Sequence, residues 1–318
     1  MKKLLIISDM EGCIDVFNMS DYSVTQEKMI TEIGILIESI LSLNQFEVTV
    51  VDCHNTGSNV FSLKRRFPSV SFVSHLWNVE KIDTFDCAIL TGFHARAGVI
   101  GWFPHTWRPE FSSVEVGNRV VGEIEMIANA LAFFGIRVAA VAGDESARPE
   151  AVSMNVPFYA TKTRISTGKT VDENYAGLCG FITSALSNPS QYSMSYNAQK
   201  VSIQFYNKMY LGCIPDGLFK KEKDRLVFTD TMEFFQSIYG LSMFLNASNM
   251  LQREMTERLK KLIRSQFTKD TLASVDNQEI KRILDKSSEH ITFDDWTYLF
   301  GYFTKLDVSG RWSLMVGG

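Results

Sequence analysis

The sequence predicts an α/β fold: a doubly wound, mostly parallel sheet flanked by helices, with a C-terminal helical appendage. Three observations predict it. In the first half of the 318 residues, apolar runs of strand length alternate with amphipathic helical patterns. The first of these runs, Leu4–Ile7, shows no apolar–polar alternation, which marks a strand buried on both faces, as parallel strands are. After about Asn249 the texture changes to amphipathic helical spacing.

Lys3–Ser8 is the first strand. Its apolar run is too short for a signal-peptide core or a membrane span, and Asp9 and Glu11 follow at once. Val24–Leu43 is a helix whose stripe is Met29, Ile33, Leu36, Ile40 and Leu43. Phe46–Asp52 is the second strand, Val70–Val73 a short third and Asp86–Thr91 the fourth. Gly122–Phe134 is a helix and Ile136–Ala142 the fifth strand. Asp172–Ser187 and Thr229–Leu245 read as helices, and Lys200–Phe205 as a strand. The appendage reads as amphipathic helices around Leu251–Phe267, Asn277–Lys286 and Phe293–Leu306. The expected domains are therefore an α/β domain over 1–248 and a helical extension over 249–318.

Composition narrows the function. Apolar residues make up 45% and charged residues 21%, enough for a sizeable core. The net charge is −4, and Lys64, Arg65 and Arg66 form only a short basic run, so neither a nucleic-acid nor a membrane partner is expected. Five cysteines, an odd number without a CxxC pair, point to reduced thiols and a cytoplasmic setting. The glycines form neither GxGxxG nor GxxxxGK[ST], which speaks against a nucleotide enzyme.

Chemistry gathers at the strand ends. Asp9 and Glu11 follow the first strand, His54 the second and His94 the fourth. In open α/β sheets ligands bind outside the carboxyl ends of the strands, so three strands deliver these side chains to one edge. Glu123 opens the helix after Gly122 on the stripe of Ile127, Leu131 and Phe134, which is expected to face the sheet, with Glu125 on another face. A carboxylate there needs a partner, either a metal ion or the helix's own N-terminus. Three carboxylates and two imidazoles exceed the three protein ligands usual for one catalytic zinc. They suit two divalent ions about 3.5–4 Å apart. The mixed oxygen and nitrogen donors fit zinc, with manganese or cobalt as alternatives.

The segments SDMEG (Ser8–Gly12), VDCHN (Val51–Asn55), GFHARAG (Gly92–Gly98), VGE (Val121–Glu123) and VAGDE (Val141–Glu145) come in one order. With His105 eleven residues after His94, that ordered set resembles the D-aminopeptidase family, the dipeptide-operon type of zinc peptidase. The resemblance covers about residues 1–248. It implies a short-peptide substrate and two zinc ions, with Asp9 bridging them and Glu11, His54, His94 and Glu123 as the other ligands. It also implies that His105 is the catalytic histidine, and that the chain forms a homo-oligomeric ring (a decamer in the family) around an inner chamber. Two features depart from the family. Cys53 stands where the family has serine, which raises the question of oxidation sensitivity, and the tail after Asn249 is an addition.

The expected reaction is metal-assisted hydrolysis of an N-terminal peptide bond, with D-residues as candidate substrates. His105 follows Pro104 in an apolar segment and would stabilise the oxyanion or pass a proton to the leaving amine. The alternatives are another binuclear metal hydrolase, an amidase or phosphoesterase, and a non-catalytic metal-binding assembly protein. Arg96 reads as a clamp for a substrate carboxylate or as a structural ion pair. Asp144 and Glu145 read as supports for the site or as a helix cap. Trp102, Phe103 and Trp107 read as packing residues or pocket lining, and His75 and His290 as structural. Asp285–Trp296 lacks the glycine and glutamate of a calcium loop.

Overall fold

A computed structural model describes residues 1–163, 169–187, 198–214, 219–238, 240–242, 245–246, 282–283 and 285–286. The chain divides into two compact units, Met1–Tyr206 with Phe219–Ser237, and Asn207–Leu218 with Ile238–Gly318. The predicted helices Leu251–Phe267 and Phe293–Leu306 and His290 lie outside the described residues, as do most of Asn277–Lys286 and residues 239, 243 and 244 of Thr229–Leu245. In the second unit the short helix α5 (Lys208–Cys213) is described.

The first unit is built on six strands: β1 (Lys2–Ser8), β2 (Phe46–Asp52), β3 (Ser71–Ser74), β4 (Cys87–Phe93), β7 (Arg137–Asp144) and β8 (Phe158–Lys162). All five pairings are parallel, in the order β3-β2-β1-β4-β7-β8. The chain runs outward from β1 to β3, returns to the other side of β1 with β4, and continues to β8. The reversal lies between β1 and β4, where a ligand crevice is expected.

Leu4 to Ile7 are wholly buried, as the run without alternation predicts. Leu4 and Ile6 join a core with α1 (Tyr22–Leu41) and α4 (Val171–Ser187), through Met29, Ile33, Leu36 and Ile40 of α1 and Leu178, Ile182 and Leu186 of α4. Each such burial contributes about 1.5–3 kcal/mol. Leu43 of the predicted stripe falls past the helix, which ends at Leu41. Asp21 caps α1 by accepting the amides of Ser23 and Val24. Helices α2 (Glu123–Phe133) and α3 (Arg148–Ser153) pack on β4, β7 and β8 outside that core.

Five strands form a second, antiparallel sheet: β5 (Phe111–Val116), β6 (Arg119–Val121), β9 (Val201–Phe205), β10 (Lys220–Glu222) and β11 (Arg225–Phe228), in the order β10-β11-β9-β5-β6. Only β9 is predicted from sequence. The others are three to six residues long, too short to carry a readable period.

Candidate metal centre

The carboxyl end of β1 is threaded between its neighbours at very short range. The amides of Asp9 and Gly12 donate to the carbonyls of Thr91 and Gly92 on β4. A Cβ at Gly12 would lie 1.8 Å from the Phe93 carbonyl oxygen, and one at Gly92 would lie 2.0 Å from that of Asp9. Gly92 also takes φ 77, which disfavours any side chain. These glycines let Asp9 and Glu11 rise beside His94.

His54 stands on a loop folded around a buried carboxylate. Asp52 accepts the amides of His54 and Asn59 at 3.1 and 2.5 Å, and Asn59 Nδ2 donates to the His54 carbonyl at 2.9 Å. Glu123 occupies the first turn of α2 and accepts the Trp107 amide at 2.7 Å. The structure brings all six predicted site residues together. His54 Nε2 lies 3.3 Å from Glu11 Oε1. His94 Nε2 lies 3.4 Å from both Asp9 Oδ2 and Glu123 Oε1. His105 Nε2 lies 3.9 Å from oxygens of Glu11 and Glu123.

The ring tautomers follow from the outer partners. A carbonyl only accepts, so His94 Nδ1–H donates to Ala95 O at 2.9 Å and His105 Nδ1–H to Phe103 O at 2.9 Å. Tyr22 donates its hydroxyl proton to Asn59 Oδ1, which leaves its oxygen to accept from His54 Nδ1 at 3.4 Å. In their neutral forms all three rings therefore turn their Nε2 lone pairs toward the carboxylates. The His94 and His105 rings stack at 4.1 Å. The His94 side chain is 1% exposed and that of His105 is 22% exposed, so only the second reaches solvent.

The electrostatics are strained. Burial and the Glu11 charge push Asp9 well above the usual carboxylate range. Burial opposes charge on Glu11 as well, but the hydrogen bond and charge of His54 outweigh it and hold Glu11 well below that range. His94 is likewise raised by Glu123 against its own burial. Asp9 Oδ2, Glu11 Oε2 and His94 Nε2 are buried without a hydrogen-bond partner among the described residues. Buried lone pairs aimed at one another and left unpaired are the signature of a cation site. Ligand atoms cluster in trios within 4.8 Å: Asp9, Glu11 and His54; Asp9, His94 and Glu123; and Glu11, His94 and His105.

Other sequence readings resolve differently. Glu125, expected on a separate face, is also buried, because α2 is covered all round, and it pairs with Arg119 at 2.8 Å. The Arg96 guanidinium donates to the Ala97 carbonyl and has no carboxylate partner among the described residues. Asp144 caps the turn after β7, as the cap reading has it, and also accepts the Trp102 amide at 2.8 Å. Desolvation and the charges of Asp52 and Asp9 push the Cys53 thiol well up, which opposes oxidation there. The His75 ring stacks on Trp77 at 4.5 Å, a structural role.

Two residues of this region carry no sequence signal. Glu150 accepts the Arg96 amide at 3.0 Å, and Lys162 donates its ammonium to the carbonyls of Glu11 and Val16. Glu150 sits in a short helix and Lys162 at the end of a strand too short to predict, so nothing in their local pattern marks either charge as buried.

Residues 1–205 match the family model described as D-aminopeptidase. A D-aminopeptidase of Bacillus subtilis (strain 168) is 30% identical over 178 residues, which are 52% of this chain and 65% of that protein. The matched segment thus spans just under two thirds of the relative's length. Among solved structures, one described as the Zn-dependent D-aminopeptidase DppA from Bacillus subtilis, a self-compartmentalizing protease, superimposes with a TM-score of 0.66 at 23% identity. That match covers 76% of this chain and 97% of the other and establishes the shared fold.

Proposed function

This chain belongs to the D-aminopeptidase family, and from that premise we propose that it is a metal-dependent aminopeptidase cleaving the N-terminal residue from short peptides. One observation carries the reading. Asp9 is common to two ligand trios, one completed by Glu11 and His54 and the other by His94 and Glu123. A carboxylate shared between two sets of donors suits a bridging ligand between two cations. We assign Asp9, Glu11, His54, His94 and Glu123 as the ligands of two divalent ions. Zinc is proposed from the donor set and from the description of the solved relative. Such ions act as Lewis acids on a carbonyl and lower the pKa of water.

The chain's own groups do the rest. His105 is the exposed member of the stacked histidine pair, so it is the one that meets substrate. Its Nδ1–H is held by Phe103, which leaves Nε2 to take up a proton and deliver it to the leaving amine. The charged form of that ring would also stabilise a developing oxyanion.

The D-configuration of the first residue is proposed from the family's description. A homo-oligomeric ring is proposed from the self-compartmentalizing description of the solved relative. The free thiols of Cys13, Cys53, Cys87 and Cys179 support a cytoplasmic location. Among the described residues no helix is long and apolar enough to cross a membrane. The segment 249–318 is proposed as a helical extension to the α/β domain.

The test is metal content and a substrate panel on one preparation: D- and L-aminoacyl p-nitroanilides, with p-nitrophenyl phosphate alongside. The expected result is about two divalent ions per chain, as a binuclear site requires, and cleavage of D-aminoacyl anilides. A metal-loaded sample that cleaves only the phosphate ester would replace the reading with a phosphoesterase, and one that cleaves nothing would favour a binding protein.

A further inference from the structure

We propose that Asp144 is a positioning residue for His105, and that through a cross-strand pair with Lys162 it holds together the two loops that set His105 against Glu11. The inference rests on His105 being the catalytic histidine proposed above.

Asp144 ends β7 and Lys162 ends β8, and the two are register partners on adjacent parallel strands. Both are buried. Asp144 is the leading opposite charge acting on the Lys162 ammonium. Each partner holds a different loop. Lys162 donates to the main-chain carbonyls of Glu11 and Val16, which fixes the segment carrying Glu11. Asp144 Oδ2 accepts the Trp102 amide at 2.8 Å and the Ser146 hydroxyl at 2.7 Å, which fixes the segment leading to His105.

That second segment has no slack. A Cβ at Gly101 would lie 2.1 Å from Ser146 Oγ and 3.2 Å from Asp144 Oδ2, so the loop is seated on the carboxylate. Phe103 follows with φ 51, a conformation an aromatic residue holds only when its neighbours impose it. Its carbonyl accepts His105 Nδ1–H, and the ring's Nε2 is thereby aimed at Glu11 and Glu123. The rings of Phe103, Phe17 and Trp102 lie 5.3, 5.7 and 5.9 Å from the Lys162 ammonium and close the space between the loops. Removing the Asp144 carboxylate frees the Trp102 amide two residues before Pro104 and takes away the buried carboxylate opposite Lys162 on the neighbouring strand. The orientation of His105 is then lost while every proposed metal ligand stays in place.

A four-member cycle on the metal-loaded enzyme tests this: wild type, Asp144→Ala, His105→Ala and the double variant, assayed on a D-alanyl p-nitroanilide. Asp144→Ala is expected to lower kcat by about 10–100-fold, the cost of a misplaced catalytic group. Metal content is expected to stay at the wild-type value and KM to change little. The double variant is expected to be no slower than His105→Ala, because a group acting through His105 has nothing left to act on. Should Asp144→Ala fail to fold, Asp144→Asn takes its place, since the amide keeps one acceptor for Trp102 but no charge for Lys162. In ¹⁵N-histidine spectra of Asp144→Asn, the His105 ring is expected to leave the single Nδ1–H tautomer of the wild type. Wild-type kcat in the Asp144 variants, additive losses in the double variant, or an unchanged His105 tautomer each overturn the inference. A His105→Ala enzyme at wild-type rate instead sinks the catalytic reading of His105 itself.

Discussion

Asp9 Oδ2 and His94 Nε2 lie 3.4 Å apart and are fully buried, yet no hydrogen bond joins them. The cause is the other side of the ring, where Nδ1–H is committed to the Ala95 carbonyl. Nε2 therefore presents a lone pair to a carboxylate oxygen. Two acceptors face to face repel unless a proton or a cation lies between them. Burial raises Asp9 and the acids raise His94, so the pair draws toward sharing a proton. A divalent ion satisfies both lone pairs at once and also offsets the neighbouring charges of Glu11 and Glu123.

Removing the shared carboxylate should therefore empty the centre. Asp9→Ala is expected to lose bound metal, read by elemental analysis after gel filtration, while the fold persists. Full metal occupancy in that variant would show that Asp9 is not the bridge.

His105 should behave differently from the ligands. His105→Ala is expected to keep its metal and lose about 10²–10⁴-fold in kcat, the usual contribution of a positioned acid or base. Metal loss in this variant would instead make His105 a ligand, as its place in the trio with Glu11 and His94 allows.

Tyr22 tests the outer support of His54. Its ring stacks on the imidazole at 5.9 Å and its hydroxyl oxygen faces Nδ1. Tyr22→Phe keeps the stack and removes the acceptor. Metal affinity, measured by chelator competition, is expected to fall about 10-fold or more, as for other lost partners of ligand histidines. Unchanged affinity would mean that Asn59 and Asp52 alone orient the ring.

Five of the six parallel strands and the candidate site residues were legible because each left a mark of its own, whereas β8 was not. Strand β1 carries an unbroken apolar run, β2 and β4 are mostly apolar, and Asp9, His54 and His94 are polar residues placed just beyond their ends. Of the antiparallel sheet only β9 was legible. Strands such as Lys220–Glu222 and Arg119–Val121 are three residues long and pair in hairpins with the next or preceding strand, too short to show a period of their own. Glu150 and Lys162 escaped for a related reason: their burial comes from tertiary contacts, to Arg96 in one case and to Glu11 in the other. The left-handed φ of Phe103 is likewise imposed from outside and has no local sequence signature.

Close approach at Gly92 should make that position intolerant. A methyl group would meet the Asp9 carbonyl at 2.0 Å on a backbone already at φ 77. Gly92→Ala is expected to destabilise the protein by about 3 kcal/mol or more in denaturant melts. Gly180, in α4, has open space where a methyl would stand, with nothing within 4 Å, so Gly180→Ala is expected to stabilise by about 0.5–1 kcal/mol. Equal effects at the two sites would show that the β1–β4 contact is looser than the glycines imply.

Glu150 gives the fold a pH dependence with a defined sign. Burial, with Glu125 and Glu123 nearby, pushes its carboxyl from 4.5 up to about 8, and among the described residues Oε2 has no partner that would favour the charged form. Between those values the folded protein holds a proton that the unfolded chain releases. The stabilisation this group contributes is therefore complete below about pH 4.5 and is lost as pH rises through about 8. Glu150→Gln keeps an oxygen for the Arg96 amide and has no proton to lose. Relative to wild type, the variant is expected to gain about 1.4 kcal/mol between roughly pH 7 and pH 9, which is one pKa unit's worth of free energy. Urea melts of the two proteins at several pH values across that range measure the difference directly. Parallel profiles would mean that Glu150 is already ionised in the fold at neutral pH, with some cation close enough to keep it so.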